Sequence, residues 1–338
     1  MQVKSHITTQ RATHPVDDRL AALRRWLAGP LAGTDYTLAP ASADASFRRY
    51  FRATLPDGRS FVAMDAPPDK EDCRPFVHVA RLLLEAGVHA PRVHAQDLAQ
   101  GFLLLDDLGR STYLDALNRD NANALMGDAI GALLKWQLAT RAGELPPYDE
   151  PLLRRELALF PEWFAARHLG RPLDAAQAAA FESVCAALTA SALAQSSVYV
   201  HRDYMPRNLM LSEPNPGVLD FQDAVIGPIT YDIASLMRDA FLSWEEERVL
   251  DWTVRYWEQA RKAGLPVASD FAEFWRAFEW MGLQRHLKVL GIFARLTLRD
   301  GKQNYLADTP RFVAYARTVA RRYAALAPLA HLLDELQA

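Results

Sequence analysis

The spacing of apolar residues changes character twice along the chain. After a polar, aperiodic opening over residues 1 to 15, which is expected to fray, "DDRLAALRRWL" sets Leu20, Leu23 and Leu27 at helical spacing, and Gly29 with Pro30 stops the helix. "FRRYFRATL" (Phe47 to Leu55) and "SFVAMDA" (Ser60 to Ala66) are then rich in aromatic and apolar residues on either side of Pro56, Asp57 and Gly58, a pattern that predicts a hairpin. "RPFVHVARLLLEAG" returns to a helical period and ends at Gly87, and "PRVHAQD" and "GFLLLDDLG" predict two further strands. Beyond Gly109 almost every segment has a helical period, the exception being residues 198–225. The pattern predicts an α+β chain with a small sheet lobe over residues 1–107 and a larger, mainly helical lobe over 108–338. The lobes are expected to share a cleft, with a short connection near Asp107 to Arg110.

Composition narrows the partners. Of the 338 residues 50% are hydrophobic and 23% charged, as in a globular chain with a sizeable core. A net charge of -3 without any long Lys/Arg run does not favour nucleic acid, so a small molecule is the expected partner. Cys73 and Cys185 offer neither a disulfide framework nor a metal cluster and read as small buried hydrophobes. His78, His89 and His94 have no metal-site spacing. The opening stretch lacks the apolar core of a secretory signal and no run approaches a membrane span, so a cytoplasmic location without a membrane partner is expected.

The exceptional stretch is "VYVHRDYMPRNLMLSEPNPGVLDFQDAV". "VYV", "NLML" and "GVLDF" read as short strands, the last two joined by a turn containing Pro214, Pro216 and Gly217. A hairpin centred on residue 214 would set Asn208 opposite Asp220, with Cβ atoms about 4.5 to 5.5 Å apart. An amide oxygen and a carboxylate suit Mg²⁺, which keeps several waters and takes substrate phosphates, so the metal would arrive with a nucleotide. Asp203 is near enough to act as a base or to orient an attacking hydroxyl.

"HRDYMPRN" is similar to the protein-kinase catalytic loop HRDLxxxN, and "DFQ" stands where those enzymes have DFG. Together with "LDFQDAVIGPITYDIASL", these residues resemble the aminoglycoside phosphotransferase family of small-molecule kinases. Within it they are nearest to the anomeric N-acetylmuramate and N-acetylglucosamine kinases of cell-wall recycling. The resemblance implies a protein-kinase-like bilobal fold, ATP as co-substrate, Mg²⁺ on Asn208 and Asp220, Asp203 as catalytic residue, His201 as a brace for the loop, and a mostly structural role for Asp232. It implies transfer to the anomeric hydroxyl of an N-acetyl amino sugar, giving the α-1-phosphate; a monomer is the expected state. The alternatives are a kinase of aminoglycosides or other small-molecule hydroxyls, and a pseudokinase-like binder of nucleotide or sugar without turnover.

Two features depart from the kinase pattern. "ASADASFRRY" has no glycine where a Gly-rich loop is expected, and in "FVAMD" the place of the third-strand lysine falls to Asp65. Arg48, Arg49 and Arg52 are candidate replacements. Alternation puts Arg48 and Arg52 on one face and Arg49 on the other with Phe47 and Phe51. A solvated arginine face, with Asp65 capping the "APP" turn, is the competing reading. Leu105 and Asp107 complete the nucleotide candidates, Leu105 as the floor of an adenine pocket with Leu103.

For the sugar, "RRELALFPEWFAARHL" brings Arg154, Glu156, Phe160 and Trp163 onto adjacent helical faces, and Arg207 and Gln222 lie beside the catalytic stretch. The lactyl carboxylate of N-acetylmuramate calls for an arginine fork, for which Arg154, Arg202, Arg207 and Arg285 are the candidates. The acidic run Glu245 to Glu247 reads as a solvated helix face rather than a pocket for a polycation.

Overall fold

A computed structural model describes residues 15–42 and 47–337. The opening residues 1–14, and 43–46 within the stretch in place of a Gly-rich loop, lie outside the described residues. The chain forms two compact units. One runs up to Ala80 and resumes over Pro91–Asp107; the other takes Arg81–Ala90 and everything from Leu108.

The smaller unit opens with α1 (Pro15–Leu27), followed by strands β1 (Thr37–Ser42), β2 (Arg49–Thr54) and β3 (Ser60–Asp65), helix α2 (Arg74–Glu85), and strands β4 (Val93–Asp97) and β5 (Phe102–Asp106). The strands form one antiparallel sheet in the order β1-β2-β3-β5-β4. The expected hairpin is β2 with β3, its register running from Arg49 opposite Asp65 to Thr54 opposite Ser60. β1 was not expected: "TLAPAS" contains a proline and no apolar alternation, which an edge strand with a register shift at Pro40 tolerates.

Strand alternation decides which side chains share a face. Phe51, Ala53, Ala63, Phe102 and Leu104 are buried with Leu23, Leu27 and Leu31, so this face carries α1. Arg49 and Asp65 belong to it: the fully buried Asp65 carboxylate accepts from Arg49 Nε at 3.0 Å and from Arg19 Nε of α1 at 2.9 Å. Asp65 is therefore an ion-pair partner pinning α1 to the sheet, not a cap on the turn after it. Arg52, Val62, Met64, Leu103 and Leu105 alternate onto the other face.

The end of α2 from Arg81 and the residues after it up to Ala90 join the helical body of the larger unit because they bond to it. His89 O accepts from Val218 N at 2.7 Å, and Glu85 pairs with Arg141 at 2.7 Å. Gly87 has φ +72°, the left-handed conformation expected of a residue just past a helix. The body comprises α3 (Tyr113–Ala116), α4 (Ala122–Leu138), α5 (Glu150–Leu157), a π-helical stretch Phe160–His168, α6 (Ala175–Leu193), β6 (Ser197–Val200), β7 (Leu209–Met210), β8 (Gly217–Val218) and β9 (Val225–Pro228). Helices α7 (Tyr231–Met237), α8 (Glu246–Lys262), α9 (Phe271–Leu298), α10 (Thr309–Arg322) and α11 (Ala327–Gln337) complete it. Among the described helices, α6 is long and apolar enough to cross a membrane, against the expectation that no such run exists. Its Phe181, Val184, Cys185 and Leu188 are nevertheless buried in the core, alongside Leu283, Leu287 and Leu290 of α9.

α9 lies against the π-helical stretch, α6, α7 and α10, and so organises this core. Its closest approach is at Gly291, where an added Cβ would stand 2.5 Å from the backbone carbon and oxygen of Leu159. Alanine would favour the helix by about 1 kcal/mol, but overpacking against backbone costs about 1–3 kcal/mol. Gly291→Ala is expected to lower the urea midpoint with an unchanged m-value; a raised midpoint would show that the two elements do not meet this closely.

Candidate active site

The site is built at the end of β6, which pairs with β9 through Val200 opposite Val225. The next residue, His201, is buried, and the one after it, Arg202, has φ +75°. This reversal is held by Asp232 at the start of α7, whose two carboxylate oxygens accept from His201 N at 2.7 Å and Arg202 N at 3.0 Å. Asp203 N donates to His201 Nδ1 at 3.2 Å, so the ring proton sits on Nε2 and is donated to Leu219 O at 3.0 Å. Burial pushes the His201 pKa down to about 4, although Asp203 and the Leu219 carbonyl act the other way. His201 is a neutral brace between the two arms of the loop. Tyr204 OH, donating to Ala129 O at 2.7 Å, fastens the same loop to α4.

A 3₁₀ turn, Pro206–Asn208, leads into β7, and Asn208 Nδ2 donates to Asp203 O at 2.9 Å. The hairpin register differs from the expected one. Leu209 stands opposite Val218, and Leu219 N donates to Asn208 O at 2.9 Å, so Asn208 is opposite Leu219 rather than Asp220. Strict alternation from that register would part Asn208 from Asp220. The left-handed backbone of Asp220, φ +63°, reunites them, and Asn208 Nδ2 lies 3.4 Å from Asp220 Oδ2. Gln222, expected at the substrate, donates to Asp220 Oδ1 at 2.9 Å. The Asn208 side chain, the Asp220 carboxylate and the Asp203 backbone are thus brought together by two left-handed residues and one 3₁₀ turn.

Beside them is a buried charged group. Glu156 Oε1 receives Arg202 Nη2 at 2.5 Å and Lys288 Nζ at 2.9 Å, and Oε2 accepts from Tyr148 OH and from Gln284 Nε2 at 3.1 Å. Burial alone would raise the Glu156 pKa, but Lys288 and Arg202 outweigh it and hold the carboxyl at about 2. Burial opposes the Lys288 ammonium in turn, and Tyr231 with Glu156 more than restore it. Lys288, Gln284 and Tyr148 were not anticipated. The available signal was a lysine inside the apolar run "HLKVLGIF", a charge that a buried helix carries only when paired.

The other candidates are dispersed. Arg154 pairs with Glu150 at 2.7 Å and Glu182 at 2.6 Å on an exposed face, because it is two residues from Glu156 and turns away from it. Trp163 is in the core with the Arg167 guanidinium 3.8 Å from its ring centre. Arg207 is exposed over Phe241. In the smaller unit Arg52 Nη2 donates to Asp107 Oδ1 at 2.9 Å, Ser60 Oγ donates to Asp107 Oδ2 at 2.6 Å, Leu105 is buried in β5, and Arg48 directly precedes β2.

Comparison with known proteins places this geometry. Residues 37–271 match the model of a family described as "Phosphotransferase enzyme family". The chain is 59% identical over 302 residues to an N-acetylmuramate/N-acetylglucosamine kinase of Pseudomonas putida, covering 89% of each chain. It is 53% identical over 322 residues to the protein of that name from Neisseria meningitidis, covering 94% of this chain and 96% of the other. Among solved structures, a choline/ethanolamine kinase family protein of Mesorhizobium loti aligns with a TM-score of 0.62 at 14% identity, over 93% of this chain and 99% of that one. The fold is that of the protein-kinase-like phosphotransferases, with an antiparallel sheet unit and a mainly helical unit. The matched stretch contains Asp203, Asn208 and Asp220, and the chain belongs to the phosphotransferase enzyme family.

Proposed function

We propose that this protein transfers the γ-phosphoryl group of ATP to the anomeric hydroxyl of N-acetylmuramate and of N-acetylglucosamine, in the cytoplasm, as a step in reuse of cell-wall sugars. The meeting of the Asn208 side chain with the Asp203 backbone carbonyl and the Asp220 carboxylate, in the loop that carries Asp203, supports the phosphoryl-transfer reading. The sugars are supported by the names of relatives 53 to 59% identical over nearly the whole chain.

In this reading Asp203 aims the acceptor hydroxyl and takes its proton. The sugar oxygen forms a bond to the γ-phosphorus as the bond to the β–γ bridging oxygen breaks, and ADP leaves. The anomeric hydroxyl is more acidic than the other sugar hydroxyls, which lightens the demand on a carboxylate base. Asn208 Nδ2 donates to the Asp203 carbonyl and faces Asp220 Oδ2 at 3.4 Å, so its Oδ1 is spent on neither and, with the Asp220 carboxylate, makes an oxygen donor pair. That oxygen-only pair fits Mg²⁺ and would hold it, the ion neutralising charge on the β- and γ-phosphates. Arg48, Arg52, Leu105 and Asp107 remain the proposed nucleotide residues. Arg49, on the α1 face, is held by Asp65.

The assay mixes Mg·ATP with N-acetylmuramate, N-acetylglucosamine, choline or kanamycin, follows ADP release, and locates new phosphate by phosphorus NMR. A C1 phosphate on both amino sugars is expected; phosphate at C6, or on kanamycin alone, rejects the proposal. Asp203→Ala should lower kcat by about 10²- to 10⁴-fold while ATP binding persists, and unchanged turnover would remove Asp203 from the reaction.

Asp232 supplies a test of the scaffold. Burial pushes its pKa up to about 7, against the pull of the two backbone N–H groups and of Arg285. A raised folded pKa favours the folded state below the ordinary value near 3.8, and that benefit is lost as pH rises through 7. The stability of the protein relative to Asp232→Asn should therefore fall between pH 5 and pH 7.5 in urea titrations. A pH-independent difference would mean that Asp232 titrates normally.

A further inference from the structure

Four arginines were candidates for the acceptor's carboxylate, and the structure separates them. Arg154 is committed to Glu150 and Glu182, Arg202 to Glu156, and Arg207 is exposed on the ring of Phe241. Arg285, on α9, is 5% exposed and takes part in no hydrogen bond or ion pair among the described residues; its Nε is sealed from solvent without an acceptor. The guanidinium lies 5.2 Å from the centre of the Tyr231 ring. Two carboxylates in its electrostatic surroundings do not pair with it. Asp232 spends both oxygens on backbone N–H groups, and Asp239 Oδ2 accepts from Phe241 N at 2.7 Å and Leu242 N at 2.8 Å, its Oδ1 being unpartnered. A guanidinium this little exposed, with no hydrogen-bonded anion among the described residues, gains strongly from an anion that joins it.

A chain of contacts links its surroundings to the loop that carries Asp203. Tyr231 OH accepts from Lys288 Nζ at 3.2 Å, Lys288 pairs with Glu156, and Glu156 pairs with Arg202, the residue before Asp203. Arg285 and Lys288 are three apart on α9 and so share a face. We propose that Arg285 receives the lactyl carboxylate of N-acetylmuramate in a two-pronged contact, and so sets how the enzyme ranks that sugar against N-acetylglucosamine, which lacks the group. The inference rests on the sugar-kinase reading above.

The test compares kcat/KM for N-acetylmuramate, its uncharged methyl ester and N-acetylglucosamine in the wild type, Arg285→Met and Arg285→Lys. The wild type should prefer the acid to its ester. In Arg285→Met the ratio of kcat/KM for N-acetylmuramate to that for N-acetylglucosamine should fall roughly 10- to 100-fold, chiefly through KM, with Arg285→Lys between. An unchanged ratio overturns the proposal. So does a parallel loss on both sugars with a raised KM for ATP, which would put the guanidinium on the nucleotide phosphates. Should Arg285→Met fail to fold, the comparison of acid with ester in the wild type and in Arg285→Lys decides, and equal use of acid and ester by the wild type overturns it. A wild type that phosphorylates neither sugar removes the sugar-kinase reading, and this inference with it.

Discussion

Two backbone N–H groups donating to one buried carboxylate fix the geometry of the larger unit's active loop. Asp232 accepts from His201 and Arg202, and Arg202 is in the left-handed region, a conformation that costs a non-glycine residue about 1–2 kcal/mol. Without that clamp the strand leaving Val200 would have no reason to reverse there. With it, the Arg202 side chain reaches Glu156 while the next peptide reaches the His201 ring. Asp220 is the second left-handed non-glycine residue among those described, and it meets the Asn208 side chain. Strain of this kind persists where neighbours over-determine it, and functional sites are where it collects.

Glu156 does for the surrounding helices what Asp232 does for the loop. It joins α5, the loop after β6 and α9 through one carboxylate with four partners. Such a network is a poor source of net stability, since well-packed apolar residues of similar volume often serve as well, whereas breaking one partnership leaves a buried charge uncompensated at about 3–5 kcal/mol. Its use is positional: it requires three chain segments to arrive together before any charge is satisfied, and Arg285, one turn away on the same helix, has no hydrogen-bonded or ion-pair partner among the described residues.

Much of this was legible before any coordinates. The β2–β3 hairpin, the two later strands of the sheet and the helical body follow from apolar period and turn residues, and Asp203, Asn208 and Asp220 follow from their place among short strands. The details that failed have physical causes. β1 contains a proline and little apolar alternation, so an edge strand left no periodic trace. The Asn208–Asp220 approach was assigned to direct pairing, but a hairpin of two-residue strands ends in irregular backbone, and φ +63° at Asp220 replaces the register argument. Arg154 and Glu156 were grouped by spacing, yet a helix turns about 200° in two residues, which sends one to solvent and one to the core. Lys288 was missed because one polar residue in an apolar run carries no label saying what it pairs with.

Asp65 shows how local sequence can mislead about charge. Read against a kinase strand it places a carboxylate where the phosphates need a cation. Strand alternation instead puts Asp65 with Ala63, beneath α1, where it binds Arg19 and Arg49 and the three groups together carry one net positive charge. The residue alternating onto the opposite face is Met64, level with Tyr50 and Leu103 in the register and next to Arg52 and Leu105. On that face the third strand therefore contributes neither a lysine nor a carboxylate.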